Sequence, residues 1–212
     1  MIMHSLKNVF FVLCIGFVLS ACTSLDIDSN RPTDVQHIDR NDPAWQQHLQ
    51  KIQTIHAYAA QGQLGYISAK ERFSTRFDWQ YRHPKAYTLL LSSTISSATL
   101  KFEMTNQGMT ISDNKGNRRS EADAKMLLRD IVGMDIPLEQ LAVWLKGQPD
   151  PTSDYQVGTN HLLAGFSYRL DGTLWTADYL NYHSGQAIAL PRDILLKNAA
   201  QTLKIRVDNW QY

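Results

Sequence analysis

The cysteines of this chain lie close to its N-terminus, and the second of them is placed for covalent modification. Cys14 lies inside the apolar run Val9–Leu19, and Cys22 follows this run after two small residues, Ser20 and Ala21. The run is too short to span a bilayer stably, and its length is typical of the apolar part of a signal peptide. Once such a peptide is removed, the Cys22 thiol has no second cysteine with which to form an internal disulfide.

The residues before Cys22, Leu-Ser-Ala, resemble the processing box of bacterial lipoproteins. The resemblance implies cleavage before Cys22, with diacylglycerol and an N-acyl chain added to that residue. We therefore predict that residues 1–21 are a lipoprotein signal peptide. In such lipoproteins an Asp after the cysteine signals retention in the inner membrane. The residue here is Thr23, which implies delivery to the outer membrane, with the domain facing the periplasm.

Catalytic chemistry has no comparable signal. The sequence contains no G-x-S-x-G elbow, no H-E-x-x-H, no C-x-x-C and no phosphate-binding G-x-x-x-x-G-K. The formal net charge of +1, without a long block of one sign, gives no indication of nucleic-acid binding. We therefore predict no catalytic site, no metal and no cofactor other than the covalent lipid. The histidines after the predicted cleavage site are scattered, mostly among polar residues or near turns: His37, His48, His56, His83, His161 and His183.

The chain has 212 residues, of which 43% are hydrophobic, and this predicts a single globular domain. Thr23–Asn41 is polar and aperiodic, so we interpret residues 22–41 as a flexible tether and residues 42–212 as the domain. Asp42 and Pro43 are typical of an N-cap followed by the first residue of a helix. The helical spacing that follows predicts a helix, and Gly62 is predicted to end it.

Strands are predicted over much of the remaining chain. Apolar and polar residues alternate from Phe73 to Tyr81, which is typical of an antiparallel strand with one apolar face. Similar patterns predict strands at Tyr87–Leu91, Leu100–Met104 and Leu203–Val207. The Asp171-Gly172 pair between two alternating runs predicts a β-hairpin.

Two helices are predicted between these strands. Ser120, with Asp123 three residues later, resembles a capping box, and Pro137 opens the second helical segment. The chain is therefore predicted to be mainly β with helices (α+β), with the helices covering one mouth or face of a curved antiparallel sheet.

The stretch "LLLSSTISSATLKF", Leu89–Phe102, contains one large aliphatic residue, Ile95, among small polar residues between two apolar runs. A hairpin tip more often contains Gly, Asn, Asp or Pro. Local turn chemistry therefore does not explain Ile95.

Several long stretches resemble the LolB family of outer-membrane lipoproteins of Gram-negative bacteria. They include "WQQHLQKIQTIHAYAAQGQLGYIS" (Trp45–Ser68), "YTLLLSS" (Tyr87–Ser93) and "GMDIPLEQLAVWLKGQP" (Gly133–Pro149), in the family's order. The resemblance extends from about Asp42 to Tyr212. It implies an unclosed antiparallel β-barrel that encloses a hydrophobic cavity and has an α-helical lid.

The resemblance also implies a function. A protein of this family accepts acylated lipoproteins from the periplasmic carrier LolA and inserts them into the outer membrane, without nucleotide or metal. We expect this chain to do so as a monomer. The family's loop after the third strand usually reads Pro-Leu-Gly, and its protruding Leu is implicated in membrane insertion. The matching residues are Thr94, Ile95 and Ser96, so Ile95 is predicted to contact the membrane.

The residues predicted to line the cargo cavity come from the apolar alternation of the strands and from the lid-like segments. They are Phe77, Trp79, Leu89, Leu91, Leu100, Phe102, Ile131, Met134, Ile136, Trp144 and Leu145. Two other functions stay open at this point. An anchored hydrolase would need titratable groups that converge in a cleft. A structural or assembly lipoprotein would have a filled core and an exposed apolar patch for a protein partner.

Overall fold

The computed structural model describes residues 25–28, 35–123, 126–127 and 137–212. These residues form two helices, α1 (Pro43–Gln53) and α2 (Leu138–Trp144), and twelve strands. The strands are β1 (His37–Ile38), β2 (Tyr58–Ser68), β3 (Arg72–His83), β4 (Ala86–Ser93), β5 (Thr99–Thr105), β6 (Gly108–Asp113), β7 (Arg118–Glu121), β8 (Asp154–Gly158), β9 (Leu163–Leu170), β10 (Thr173–Tyr182), β11 (Pro191–Lys197) and β12 (Gln201–Gln211).

All twelve strands belong to one antiparallel sheet, in the order β1-β8-β9-β10-β11-β12-β2-β3-β4-β5-β6-β7. Most neighbours are consecutive hairpin strands, and the β12–β2 pair joins the C-terminal strands to the N-terminal ones. The edge strands β1 and β7 do not pair with each other in the described part of the chain, so the sheet is not closed. The predicted α+β class and unclosed antiparallel barrel are confirmed.

Helix α1 begins as predicted but ends earlier. The Asp42 side chain accepts a hydrogen bond from the Trp45 backbone N–H at 2.9 Å, and Pro43 is the first helical residue. The prediction that Gly62 ends this helix is wrong, because Gly62 lies within β2. A Cβ on Gly62 would lie 1.9 Å from the Arg206 carbonyl oxygen of β12, so glycine here permits a close approach of two strands.

The predicted cap at Ser120 is also wrong. Ser120 belongs to β7, and its hydroxyl lies 2.8 Å from that of Thr110 on the paired strand β6. Asp123 accepts the backbone N–H of Met126 at 3.1 Å and therefore takes the position of a helix cap. The Asp171-Gly172 hairpin is confirmed, with φ angles of 49° and 81° that suit a two-residue turn.

Helix α2 packs into the concave face of the sheet, at the end where β2 begins. Its buried residues belong to the same core as the strands. Three buried tyrosines, which we call the carbonyl-bonded tyrosines, donate to main-chain oxygens, and burial raises the pKa of each well above its ordinary value. They are Tyr58 (to Ala142, 2.8 Å), Tyr179 (to Trp144, 2.6 Å) and Tyr182 (to Leu163, 2.7 Å). The Ala142 and Trp144 carbonyl groups both lie in the last turn of α2, and the Trp144 oxygen also accepts the Gly147 N–H at 2.9 Å.

The described parts of the predicted tether pack against the domain. Leu25 and Ile27 are 6% and 5% exposed. The Lys204 ammonium of β12 donates to the Ile27 carbonyl oxygen, and the Arg206 guanidinium donates to the Asp26 carbonyl oxygen at 3.1 Å. These contacts lie on the convex face, because Leu203 and Ile205 on either side of Lys204 point into the concave core. Further along, β1 pairs with β8.

Candidate functional site

Strands β3, β4 and β5 build the apolar wall of the candidate site. Their register aligns Phe77, Leu91 and Leu100 in one cross-strand row and Trp79, Leu89 and Phe102 in the next. Because side chains alternate between the two faces of a strand, both rows point to the same, concave face. The register therefore brings together all six strand residues predicted for the cavity.

The six residues of these rows are not equally buried. Phe77, Trp79, Leu89 and Phe102 are buried in the continuous core. Trp144 and Leu145 are buried there too, and the Trp144 ring centroid lies 5.1 Å from that of Phe166 and 6.1 Å from that of Trp175. Ile131, Met134, Ile136 and Cys22 lie outside the described residues.

Leu91 and Leu100 are half-buried and line a cavity of about 290 Å³. Phe73 also lines it and is absent from the predicted cavity residues. Phe73 has the same strand alternation as Phe77, so the pattern that placed Phe77 on the concave face could also have indicated Phe73. The remaining lining residues are Ser74, Thr75, Ser93, Ala98 and Thr99.

The loop between β4 and β5 lies beside this cavity and presents Ile95 to solvent. The Ile95 side chain is 85% exposed, so it does not fold back onto the sheet. The Ser93 hydroxyl accepts the backbone N–H groups of Ile95 at 3.2 Å and Ser96 at 3.1 Å. The Asn114 amide donates to the Ser97 carbonyl oxygen at 2.8 Å. Hydrogen bonds thus order a loop that has neither the Pro nor the Gly of the family pattern.

A second cavity, of about 580 Å³, lies at the opposite end of the sheet, and polar residues dominate its lining. Lys85, Asp123 and Glu139 bring charges of both signs to it. Among the described residues, no group of three or more His, Cys, Asp or Glu is placed to hold a metal ion. No helix in the described ranges is long and apolar enough to cross a membrane.

The unclosed antiparallel sheet and the apolar cavity at one end, on a chain whose N-terminal sequence resembles a lipoprotein processing box, indicate a lipoprotein with an open-barrel domain. A sequence model of the family "Outer membrane lipoprotein LolB" matches residues 56–210. The chain belongs to this family, and the protein is an outer-membrane lipoprotein.

Relatives named "Outer-membrane lipoprotein LolB" match the chain over nearly its whole length. The one from Mannheimia succiniciproducens is 65% identical over 210 residues, which are 99% of this chain and 100% of the relative. The relative from Aggregatibacter actinomycetemcomitans is 59% identical with the same coverage. The relative from Pasteurella multocida is 58% identical over 98% of this chain and 99% of its own. A solved LolA superfamily protein from Nitrosomonas europaea is 12% identical, with a TM-score of 0.47 over 78% of this chain and 92% of its own.

Proposed function

We propose that this protein is a receptor that accepts acylated lipoproteins from the periplasmic carrier LolA and inserts them into the outer membrane. It acts as a monomer held at the membrane by lipid on Cys22. The observation that carries the proposal is the apolar cavity lined by Phe73, Leu91 and Leu100, directly beside the exposed Ile95. Family membership supports it.

The cavity suits an acyl chain because Phe73, Leu91 and Leu100 give it an apolar wall and its other lining residues are uncharged. Each methylene group that leaves water contributes about 0.8 kcal/mol, so a few methylenes at this wall give useful affinity. Transfer then follows the relative affinities of carrier, receptor and membrane for the same acyl chains. A site of this kind binds and releases without a chemical step, and we propose no enzymatic activity.

Ile95 is the proposed membrane contact. Moving an isoleucine side chain from water into lipid contributes about 1.5–3 kcal/mol. Because the Ser93 hydroxyl bonds the loop backbone, little ordering of the loop has to accompany that insertion. Ile95 would thus hold the mouth of the cavity against the bilayer while cargo leaves it.

The test uses a soluble version that lacks residues 1–21 and carries Cys22→Ser. This protein is mixed with LolA loaded with an acylated lipoprotein, and cargo is followed first to the receptor and then to added lipid vesicles. Ile95→Glu should accept cargo normally but fail to release it to vesicles. Tyr212→Glu changes an exposed apolar residue at the opposite end of the sheet, and it should impair neither acceptance of cargo nor its release to vesicles.

Cargo that stays on the carrier in the presence of the wild-type domain would contradict the receptor function. The structural or assembly lipoprotein would then be the hypothesis to pursue. Cargo release that is normal in Ile95→Glu would leave the receptor function standing and would remove the role of Ile95.

A further inference from the structure

We propose that the end of the sheet that carries Ile95 binds anionic phospholipid headgroups through exposed cationic side chains. We call this surface the basic end and define it by Lys70, Arg72, Lys115 and Arg118. The inference rests on the proposed function, because it describes the membrane surface at which the receptor would release cargo.

The hairpin topology brings these four residues to the same end as Ile95. Strands β2 to β7 pair in chain order and are all antiparallel, so every second connection between them lies at the same end of the sheet. The connections at this end are the β2–β3 turn, the β4–β5 loop and the β6–β7 turn. The Asn114 side chain joins the last two directly, since it donates to the Ser97 carbonyl oxygen at 2.8 Å and accepts the Thr99 N–H at 3.4 Å. Lys70 and Arg72 flank the first turn, and Lys115 and Arg118 the third.

The four cations are available to a ligand. Each is exposed, and none forms an ion pair with another side chain within the described ranges. Arg119, by contrast, lies 3.7 Å from the Glu121 carboxylate.

Two carboxylates lie beside these four cations in the same two turns, and they do not balance them. Glu71 is exposed in the first turn. The Asp113 carboxylate accepts hydrogen bonds from the side chain and backbone of Asn117 and from the backbone of Lys115. These bonds lower the pKa of Asp113, and the bond from the Asn117 side chain contributes most. The ionised carboxylate therefore stabilises the turn. The four cations thus exceed the two anions in a protein whose formal net charge is only +1.

This combination of charge and one protruding apolar residue fits an anionic lipid surface. Lys and Arg near such a surface strengthen membrane binding about fivefold each, and the attraction weakens with added salt. An apolar side chain inserted among them adds affinity that salt does not screen. The cavity at the other end of the sheet, by contrast, is lined by two carboxylates, Asp123 and Glu139, and one cation, Lys85.

The docked N-terminal segment favours the same orientation. Leu25 packs beside Gly65, which lies three residues before Ser68, where β2 ends at the basic end. The segment is fixed by Lys204 and Arg206, and the Arg206 side chain is itself held by the buried Asp193 carboxylate at 2.6 Å. Leu25, the first described residue of this segment, therefore lies nearer the basic end of β2 than its other end.

The experiment measures binding of the soluble Cys22→Ser protein to phosphatidylcholine vesicles with and without one quarter phosphatidylglycerol, by flotation. The test variant combines Lys115→Gln with Arg118→Gln. The matched control combines Lys51→Gln with Arg82→Gln, which removes two exposed cations near the opposite end. The wild-type protein and the control should bind the anionic vesicles more tightly than the neutral ones. The test variant should lose about 30-fold on anionic vesicles alone, and salt should reduce the wild-type preference.

Equal binding of the wild-type protein to both kinds of vesicle would overturn the inference, as would unchanged binding of the test variant or an equal loss in the control. Melting temperatures of all variants verify folding, since exposed substitutions of this kind change the melting temperature of a domain of this size by about 2 °C or less. Acceptance of cargo from LolA, measured without vesicles, is independent of the basic end. If the wild-type protein does not accept cargo from LolA, the proposed receptor function is refuted. If it accepts cargo but shows no preference for anionic vesicles, only this inference is refuted.

Discussion

Replacing Gly62 with Ala should destabilise the domain, because β2 and β12 leave no space for a Cβ at this position. The added atom would lie 1.9 Å from the Arg206 carbonyl oxygen and 3.0 Å from Cε1 of Phe77. Carbon and oxygen normally approach to about 3.3 Å, so the strands would have to separate by roughly 1.4 Å. Overpacking typically costs 1–3 kcal/mol, and each weakened ladder hydrogen bond adds about 1 kcal/mol. We expect a loss of about 3 kcal/mol and a melting temperature lower by about 6–12 °C.

Gly65→Ala is the matched control, because Gly65 lies on the same strand and faces the same partner strand. A Cβ there would lie 3.5 Å from the Lys204 Cβ and 3.7 Å from the Leu25 Cβ, which are ordinary van der Waals distances. Alanine also restricts the unfolded chain, so this variant should be neutral or more stable by about 0.5–1 kcal/mol. The assay is equilibrium urea unfolding followed by tryptophan fluorescence. If both variants lose the same stability, the close approach of β2 and β12 at Arg206 is not as described.

Three further predictions concern the membrane contact, the docked segment and the buried tyrosines. Ile95→Ala should weaken vesicle binding of the soluble protein about tenfold or more at unchanged melting temperature, since the side chain is 85% exposed; a large drop in melting temperature would instead assign it a structural role. Leu25→Ser combined with Ile27→Ser should abolish hydrogen-exchange protection of the Ile27 amide, which donates to the Leu25 carbonyl oxygen at 2.8 Å, while β12 stays protected, because both buried side chains of the segment are lost; retained protection would contradict the docking. The carbonyl-bonded tyrosines have a raised pKa in the folded state, so their stabilisation is complete below pH 10 and is lost as the pH rises towards their folded values. Each then removes about 1.4 kcal/mol per pH unit. Tyrosinate absorbance of these residues should appear only together with unfolding, and earlier ionisation would show that they are not buried as described.

Local sequence patterns predicted the elements whose signal needs no distant partner. The alternation from Phe73 to Tyr81 predicts which residues of β3 share a face, because that property depends only on the extended backbone. The Asp42-Pro43 pair and the Asp171-Gly172 turn were predicted for the same reason, since a cap and a two-residue hairpin are completed within a few residues. The prediction that Ile95 contacts the membrane came from the family resemblance. The exposure of its side chain agrees with a position at a loop tip.

Gly62 and Ser120 were misassigned because their local signals have two readings. Glycine ends helices, but it also permits close strand contact, and the partner that decides is Arg206, far along the chain. The spacing of Ser120 and Asp123 fits a capping box, but pairing of Ser120 with Thr110 keeps its backbone extended. In both cases the energy of strand pairing exceeds the local preference.

The sequence by itself determined the strand faces, the predicted lipid-attachment motif and the family. Only the tertiary structure decided which apolar residues of one face remain accessible. Phe73 and Phe77 point to the same side of β3, yet Phe73 lines the cavity beside the loop while Phe77 is buried in the core. Likewise Leu25 and Ile27 stand in a polar stretch, and their burial depends on a convex face that β2 and β12 form together. Alternation fixes the direction of a side chain, whereas burial depends on what distant parts of the chain pack over it.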